Sequence, residues 1–427
     1  MNRSVNYLLL CLLIVGCADF GEKQPLPVIN SQQTSFGAND TTYIRLLPDW
    51  SAEEIGANLS KPTDIVVGRD GYIFVADQGN DRIVVLNKSG QVQSHSNLNK
   101  IVGIPHPAQI AIDSKMNLFI VNGTNKIYSW NQYLNYANID SIIARYVVRD
   151  TTTNEQFTYT FAELANARED TTRFLQITDL IFSSDAVTID SLLNVSVFYD
   201  DPSEDAEFYG VAAGPYGKDF IYVTDAGKNR ILKINVVQSG YVLLKQGWIN
   251  PTYTSKFDRV VVTHGSGAGT VDTPGSMTTD SQGNLYFTQT GGNFLVQKLS
   301  YYDYNSVYVL GEDPIMELRD PPLFVLPADI AVDADAFIYV VEKEPYLNIK
   351  TLPDSTIDST YCYVHKFSPD GRIVDLGNKG IATTEFDSPQ AIAIDDEQII
   401  YIANTDKNRI DRFKLSVSEE DLPQEPR

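Results

Sequence analysis

The chain has 427 residues, 43% of them hydrophobic and 21% charged, and so is long enough to bury a large core. Its 55 acidic and 33 basic residues leave a formal charge of −22. Binding to phosphate backbones needs clustered Lys and Arg, so nucleic acid is excluded as an expected partner.

The first residues carry the signature of export rather than of a fold. Arg3 gives a short positive start, Tyr7 to Val15 form an apolar run, and Gly16 is a small residue before Cys17. The run is too short to cross a bilayer as a lasting helix. Ile14-Val15-Gly16-Cys17 resembles the lipobox of bacterial lipoproteins. That resemblance implies a signal peptide over 1–16 and a thioether-linked lipid on Cys17, with acyl chains such as palmitate as a membrane anchor. Ala18 follows Cys17 where an Asp would signal inner-membrane retention. By resemblance to Gram-negative sorting, the cell envelope is expected, at the outer membrane if there is one. Residues 17–41, polar with Pro25 and Pro27, are expected to be a flexible lipidated tether.

The three cysteines agree with this reading. Cys11 leaves with the signal and Cys17 is consumed by lipid, so Cys362 has no internal disulfide partner. His365 is three residues away, which on a strand places it on the opposite face, so a Cys–His nucleophile is not expected.

From residue 42 to 417 one pattern repeats. Asp64 to Val67, Tyr72 to Asp77 and Asn80-Asp81-Arg82-Ile83 form the first copy. The same order returns at Ile221 to Asp225 with Lys228 to Ile231, and at Pro389 to Asp395 with Tyr401 to Asn404 and Lys407 to Ile410. Weaker copies begin at Pro107, Pro274 and Pro327. The runs are short, β-branched and aromatic, and turn residues such as Asp70-Gly71 and Asp370-Gly371 bound them, so they read as antiparallel strands. A small sheet repeated in this way cannot bury both faces alone. Radial stacking buries them and predicts an all-β fold, a six-bladed β-propeller.

These residues are similar to the NHL repeat: Pro-x-x-Ile-Ala-Val-Asp, then Gly-x-Ile-Tyr-Val-x-Asp, then Asn-x-Arg-Ile. The likeness is closest in copies one, three and six. In copy two Lys126 replaces the Arg, and in copy four Asn293-Phe294-Leu295 lacks it. The family implies that the chain's ends share a blade, with Thr42 to Leu47 as the outer strand of the last one, which protects a sheet edge. Two insertions interrupt the pattern, near 131–207 and 342–361. In the first, Phe161 to Ala167 reads as helix, and Phe174 to Ile181 and Val195 to Tyr199 read as strands. An elaborated loop with an outer strand is expected there; a hidden seventh blade is the alternative. Residues 418–427 are a polar tail.

Candidate chemistry is sparse. Asp77, Asp225 and Asn404 recur in separate blades with Arg82, Arg230 and Arg409, so they are expected to close Asx turns rather than to meet at one ion. His95, His106, His264 and His365 stand in no zinc-ligand spacing, and the zinc of an amidating lyase within the NHL family finds no matching residues here. Asp200 to Glu207 lacks the glycine and spacing of an EF-hand loop. Gly265 to Gly269 is followed by no Lys-Ser/Thr or helix, and His264 beside Ser266 has no orienting acid.

One set of positions stands apart. Two residues after the opening Pro come Asp64, Gln109, Ser276 and Asp329, expected as oxygen donors on one ring at the channel mouth, with Ala212 and Ala391 as the other two members. Calcium is the cofactor such a ring admits, and six-bladed lactonases of the gluconolactonase and paraoxonase type look similar in outline. The leading expectation is a membrane-tethered binding or scaffold module for a protein, peptide or glycan, not an enzyme. The alternative is a calcium-dependent lactonase, esterase or lyase at the channel mouth. A third reading is a structural part of an envelope assembly.

Overall fold

The computed structural model describes residues 43–136, 142–159, 161–170, 172–183, 193–243, 249–310, 323–344, 347–351, 357–361, 363–374 and 386–415. The expected signal peptide, Cys17, the tether, Cys362 and the C-terminal tail lie outside them.

The apolar runs become strands, and every ladder among the described strands is antiparallel. After β1 (Tyr43–Trp50) and the short helix α1 (Ala52–Ile55), the first sheet holds β2 (Pro62–Val67), β3 (Ile73–Asp77) and β4 (Arg82–Leu86). The second begins with β5 (Gln109–Ile112), β6 (Asn117–Val121) and β7 (Lys126–Asn131). The insertion follows with α2 (Gln132–Tyr136), β8 (Ile142–Asp150), β9 (Gln156–Tyr159), α3 (Phe161–Glu169), β10 (Leu175–Ser183) and β11 (Ser196–Asp200). The third sheet is built on β12 (Phe208–Ala213), β13 (Phe220–Asp225), β14 (Arg230–Leu243) and β15 (Ile249–Val262). The fourth holds β16 (Pro274–Thr279), β17 (Leu285–Gln289), β18 (Val296–Leu299) and β19 (Ser306–Val309). Next come β20 (Pro327–Val332), β21 (Ile338–Glu342), the separate hairpin β22 (Leu347–Thr351) and β23 (Ile357–Tyr361), and β24 (Val364–Phe367). The last sheet has β25 (Pro389–Ile394), β26 (Ile399–Asn404) and β27 (Arg409–Leu415).

The first strands of these sheets lie side by side round an axis. β2 adjoins β5, which adjoins β12, then β16, β20 and β25, and β25 returns to β2. A closed ring of antiparallel sheets packed face to face is a β-propeller. The core lies between sheets. Phe74 and Ile83 of the first sheet meet Ile110, Leu118 and Ile120 of the second, and Tyr222 and Ile231 of the third meet Met277, Leu285 and Phe287 of the fourth. Each such side chain contributes about 1.5–3 kcal/mol by leaving water.

The first and last described strands share one sheet, as the resemblance implies. β1 pairs with β27 in the register Tyr43↔Leu415 to Leu46↔Arg412. Arg45 fastens the seam, donating to Asp49 at 2.6 Å and to Asp411 at 2.9 Å. Trp50, at its far end, packs against Tyr401 with ring centroids 5.4 Å apart.

The first insertion serves two sheets. β11 pairs with β7 and completes the second. β14 and β15 overrun the third: β13 pairs with β14 only as far as Phe220↔Asn235, and the hairpin continues to Leu243↔Ile249. β8 takes the vacated edge, with Tyr241↔Ala144 and Leu243↔Ile142, and β10 pairs along β8. That edge of β14 is the one facing β13 and β12, so the added strands extend the sheet toward the axis, above the end where β12 turns into β13. The segment therefore adds strands to an existing sheet, and among the described residues it forms no radial sheet of its own.

Candidate functional site

Side-chain latches hold five of these sheets to their entry loops, and they explain the recurring acids. Asp77 Oδ1 accepts the Ser60 N–H at 2.6 Å, Asp225 Oδ1 that of Glu207 at 2.9 Å, and Asn404 Oδ1 that of Asp387 at 2.9 Å. Gln289 does the same for Asp272 at 3.0 Å, and Glu342 Oε2 for Val325 and Leu326. These are long-range bonds to the loop before the first strand, not the local Asx turns expected at these positions. The Arg partners close the other side: Arg82 Nε and Arg230 Nε each lie 2.7 Å from their Asp. In the last blade Arg409 turns instead to Asp411, because Asn404 carries no charge. True Asx turns occur one strand earlier, where Asp113, Asp280, Asp333 and Asp395 accept N–H groups two and four residues on.

The axis carries the candidate site. Asp64, Gln109, Ser276 and Asp329 come together on the inner strands, buried to between 3% (Asp64) and 9% (Ser276) exposure. They do not stand at a mouth. Asp64, Gln109 and Asp329 line cavities on both sides of the ring, so the ring is a septum within the channel. On one side lies a smaller vestibule of about 270 Å³ with Val67, Ile112 and Ile394 in its wall. On the other lies a larger vestibule of about 450 Å³ with Glu207, Tyr209 and Lys343.

The septum is closed by its own hydrogen bonds. Each long side chain accepts a backbone N–H from the next strand or a later one: Asp64 Oδ2 from Ile110 at 2.6 Å, Gln109 Oε1 from Val211 at 2.8 Å, Asp329 Oδ2 from Ile392 at 2.7 Å. Gln109 Nε2 donates to Ser276 Oγ at 2.5 Å, and Ser276 Oγ donates to Asp329 Oδ1. These contacts correct one expected member. The third position is Gly210, not Ala212, because Phe208 opens this sheet where others have Pro and the same bulge follows it. A Cβ at Gly210 would sit 2.6 Å from Thr224 Oγ1 and also strike the Gly275 carbonyl, so glycine is required. Ala391 keeps its expected place.

Burial raises both carboxyls. Asp329 is pushed up to about 6, against the Ser276 and Ile392 donors that hold it down. Asp64 lies well above the usual carboxylate range, through burial first and then through the Asp329 charge, with the Ile110 N–H opposing. The two carboxyls titrate as a coupled pair, each raised by burial and Asp64 raised further by the Asp329 charge.

This donor set does not fit the calcium that the expected lactonase outline implies. Ca²⁺ takes about six to eight oxygens. Val211 fixes the Gln109 amide so that its nitrogen, not its oxygen, faces the ring, and Gly210 and Ala391 add no side-chain oxygen. No group of three or more His, Cys, Asp or Glu is placed to hold a metal among the described residues.

The other motifs are structural. His95 meets the Tyr72 hydroxyl at 3.2 Å, His106 lies 3.5 Å from Asp81, and His365 packs edge-on against Phe324. The Gly265–Gly269 loop is closed by Thr270 and by Gln297, whose Oε1 accepts the Gly269 N–H. Within the acidic run, Asp201 pairs with Arg230 at 3.1 Å.

No family model matches the sequence, and no curated protein matches it. Solved structures resemble it in fold. A virginiamycin B lyase from Staphylococcus aureus is 12% identical, covering 88% of this chain and 99% of its own, with a TM-score of 0.40. A gluconolactonase from Xanthomonas campestris is 12% identical over 88% of this chain and 96% of its own, with a TM-score of 0.46. An auxiliary nutrient binding protein from Bacteroides thetaiotaomicron is 10% identical over 84% and 70%, with a TM-score of 0.39. At these values the likeness says nothing of ligand or activity.

Proposed function

We propose that this chain is a lipid-tethered, six-bladed propeller of NHL type at the bacterial cell envelope, acting as a binding module for a peptide or glycan. The tether reading rests on Cys17 in its lipobox-like context, and the blade count on the order of the inner strands round the axis. The observation that carries the binding role is the sheet extension above the third blade. β10 is its outer edge strand, and Phe174 just before it and Ile177 within it are 68% and 41% exposed. Among the described residues β10 ends the sheet, and an exposed strand edge carrying apolar side chains invites aggregation unless a partner uses it. Main-chain pairing to such an edge is one recurring way to take up an extended peptide, and exposed aromatics also stack on sugars.

The test uses the mature chain starting at Ala18 on peptide and glycan arrays. Saturable binding that Ile177→Asp with Phe174→Asp removes, while the melting temperature holds, is the expected result. Binding that survives both changes, or no binding at all, would overturn the role. Tethering is tested separately: a clickable palmitate analogue fed to cells should label the protein, and Cys17→Ala should abolish the label.

A further inference from the structure

The larger vestibule lies at the opposite end of the channel from the added strands, where the inner strands begin. Its volume of about 450 Å³ falls within the range of small-molecule sites, roughly 300–1,000 Å³. Its charges are unevenly placed. The floor is the septum, with Asp64 and Asp329; nearer the rim stand Glu207 on the third blade and Lys343 on the fifth. Among the described lining residues Lys343 is the one cation, against three carboxylates.

The floor asks for a donor. Asp64 and Asp329 each spend one oxygen on a backbone N–H, and the Asp329 Oδ1 is met by Ser276 and Gln109. The Gln109 amide nitrogen is already committed to Ser276. A ligand carboxylate set against this floor would face like charge. A primary ammonium would place a charge and three donors beside the carboxyl pair, and burial makes such a contact stronger than one at the surface. A purely cationic ligand would leave Lys343 facing it unpaired. A ligand with an anion at its other end satisfies both poles.

We propose that this vestibule binds a small zwitterion of the amino-carboxylate class, with its ammonium on the Asp64–Asp329 floor and its carboxylate at Lys343. The smaller vestibule beyond the septum shares Asp64 and Asp329 but has no cation among its lining residues, so it offers one pole only and is not part of this site.

Calorimetry on the mature chain tests it with glycine, 4-aminobutyrate and 6-aminohexanoate, and with hexanoate and hexylamine as single-charge controls. At least one amino-carboxylate should bind saturably, at least tenfold more tightly than either control. Asp64→Asn keeps an oxygen for the Ile110 N–H and should weaken that probe tenfold or more. Lys343→Met lies on the rim, leaves the septum intact, and should bring the zwitterion's affinity down to that of hexylamine. Absence of binding by every amino-carboxylate would overturn the proposal. So would hexylamine matching the zwitterion in the unaltered chain, or Lys343→Met leaving the preference unchanged.

Discussion

Gln109 on the second sheet accepts the Val211 N–H of the third at 2.8 Å, and this one bond decides what the channel axis presents. With its oxygen held by Val211, the amide must turn its nitrogen toward Ser276 and Asp329. The axis is therefore a hydrogen-bonded septum and not an oxygen cage. The unaltered chain should show no calcium-dependent rise in melting temperature over a chelator control. Gln109→Glu replaces the amide nitrogen by an oxygen and sets a third carboxyl beside Asp64 and Asp329. It should lower the melting temperature in chelator and recover much of the loss in millimolar calcium. A calcium response in the unaltered chain would show that the amide is not fixed as described.

Gly210 stands where the ring has no room for a side chain. A Cβ there meets Thr224 Oγ1 at 2.6 Å and the backbone carbonyl of Gly275, which belongs to the next sheet and cannot rotate away. Gly210→Ala should destabilise by about 1–3 kcal/mol, as overpacking of a tight site does. Urea unfolding should show a lower midpoint with an unchanged slope. Gly267, exposed, with nothing within 4 Å of an added Cβ and, like Gly210, not at positive φ, is the control for the mere loss of a glycine.

The entry-loop latch gives a third expectation. Asp77 is fully buried and serves both Ser60 N–H and Arg82 Nε. Asp77→Ala leaves the N–H without its acceptor and the guanidinium without its partner, and should destabilise by about 2–3 kcal/mol. Asp77→Asn keeps an acceptor for Ser60 and should recover part of that. Asn404 already works in this way in the last blade, where the charge moves to Asp411. Equal losses for the two variants would show that the ion pair, not the latch, matters.

Much of the propeller was legible in the sequence because its signals are local. Pro62, Asp70-Gly71 and the continuous apolar run from Ile73 to Ala76 specify strand, turn and strand within 16 residues. The four ring residues could be found for the same reason, since each stands two after a proline that opens a strand. Gly210 could not be counted off in this way, because Phe208 replaces the proline and only the bulge beside it sets the register. Nor does counting tell a mouth from a septum: that depends on Gln109 reaching Val211 and Ser276, 102 and 167 residues away. The partners of β8 were hidden likewise. Strand propensity marks residues 142–150 as extended, but only the overrun of β14 past Asn235 gives them an edge to join. The signal that could have shown this was the unusual length of the Arg230–Leu243 run.

Glu342 gives the sharpest pH dependence. It is fully buried at the end of β21, in the latch position that Asp77 and Asp225 occupy elsewhere, but no arginine faces it across β24 as Arg82 faces Asp77. Burial pushes its carboxyl up to about 7 from an ordinary 4.5, with the Val325 and Leu326 N–H groups opposing and Glu344 adding a little. The folded state thus holds a proton that the unfolded chain releases earlier. Its contribution to stability is fully present below about pH 4.5 and is lost as pH rises through 7. Glu342→Gln keeps an oxygen for both N–H groups and removes the charge. It should be close to neutral at pH 5 and stabilising at pH 8, by about 1–2 kcal/mol once partial solvation is allowed for. Guanidinium unfolding at the two pH values decides it. A gain of the same size at both would trace the effect to packing, whereas a gain confined to pH 8 would mark Glu342 as a carboxylate the fold must ionise without a partner.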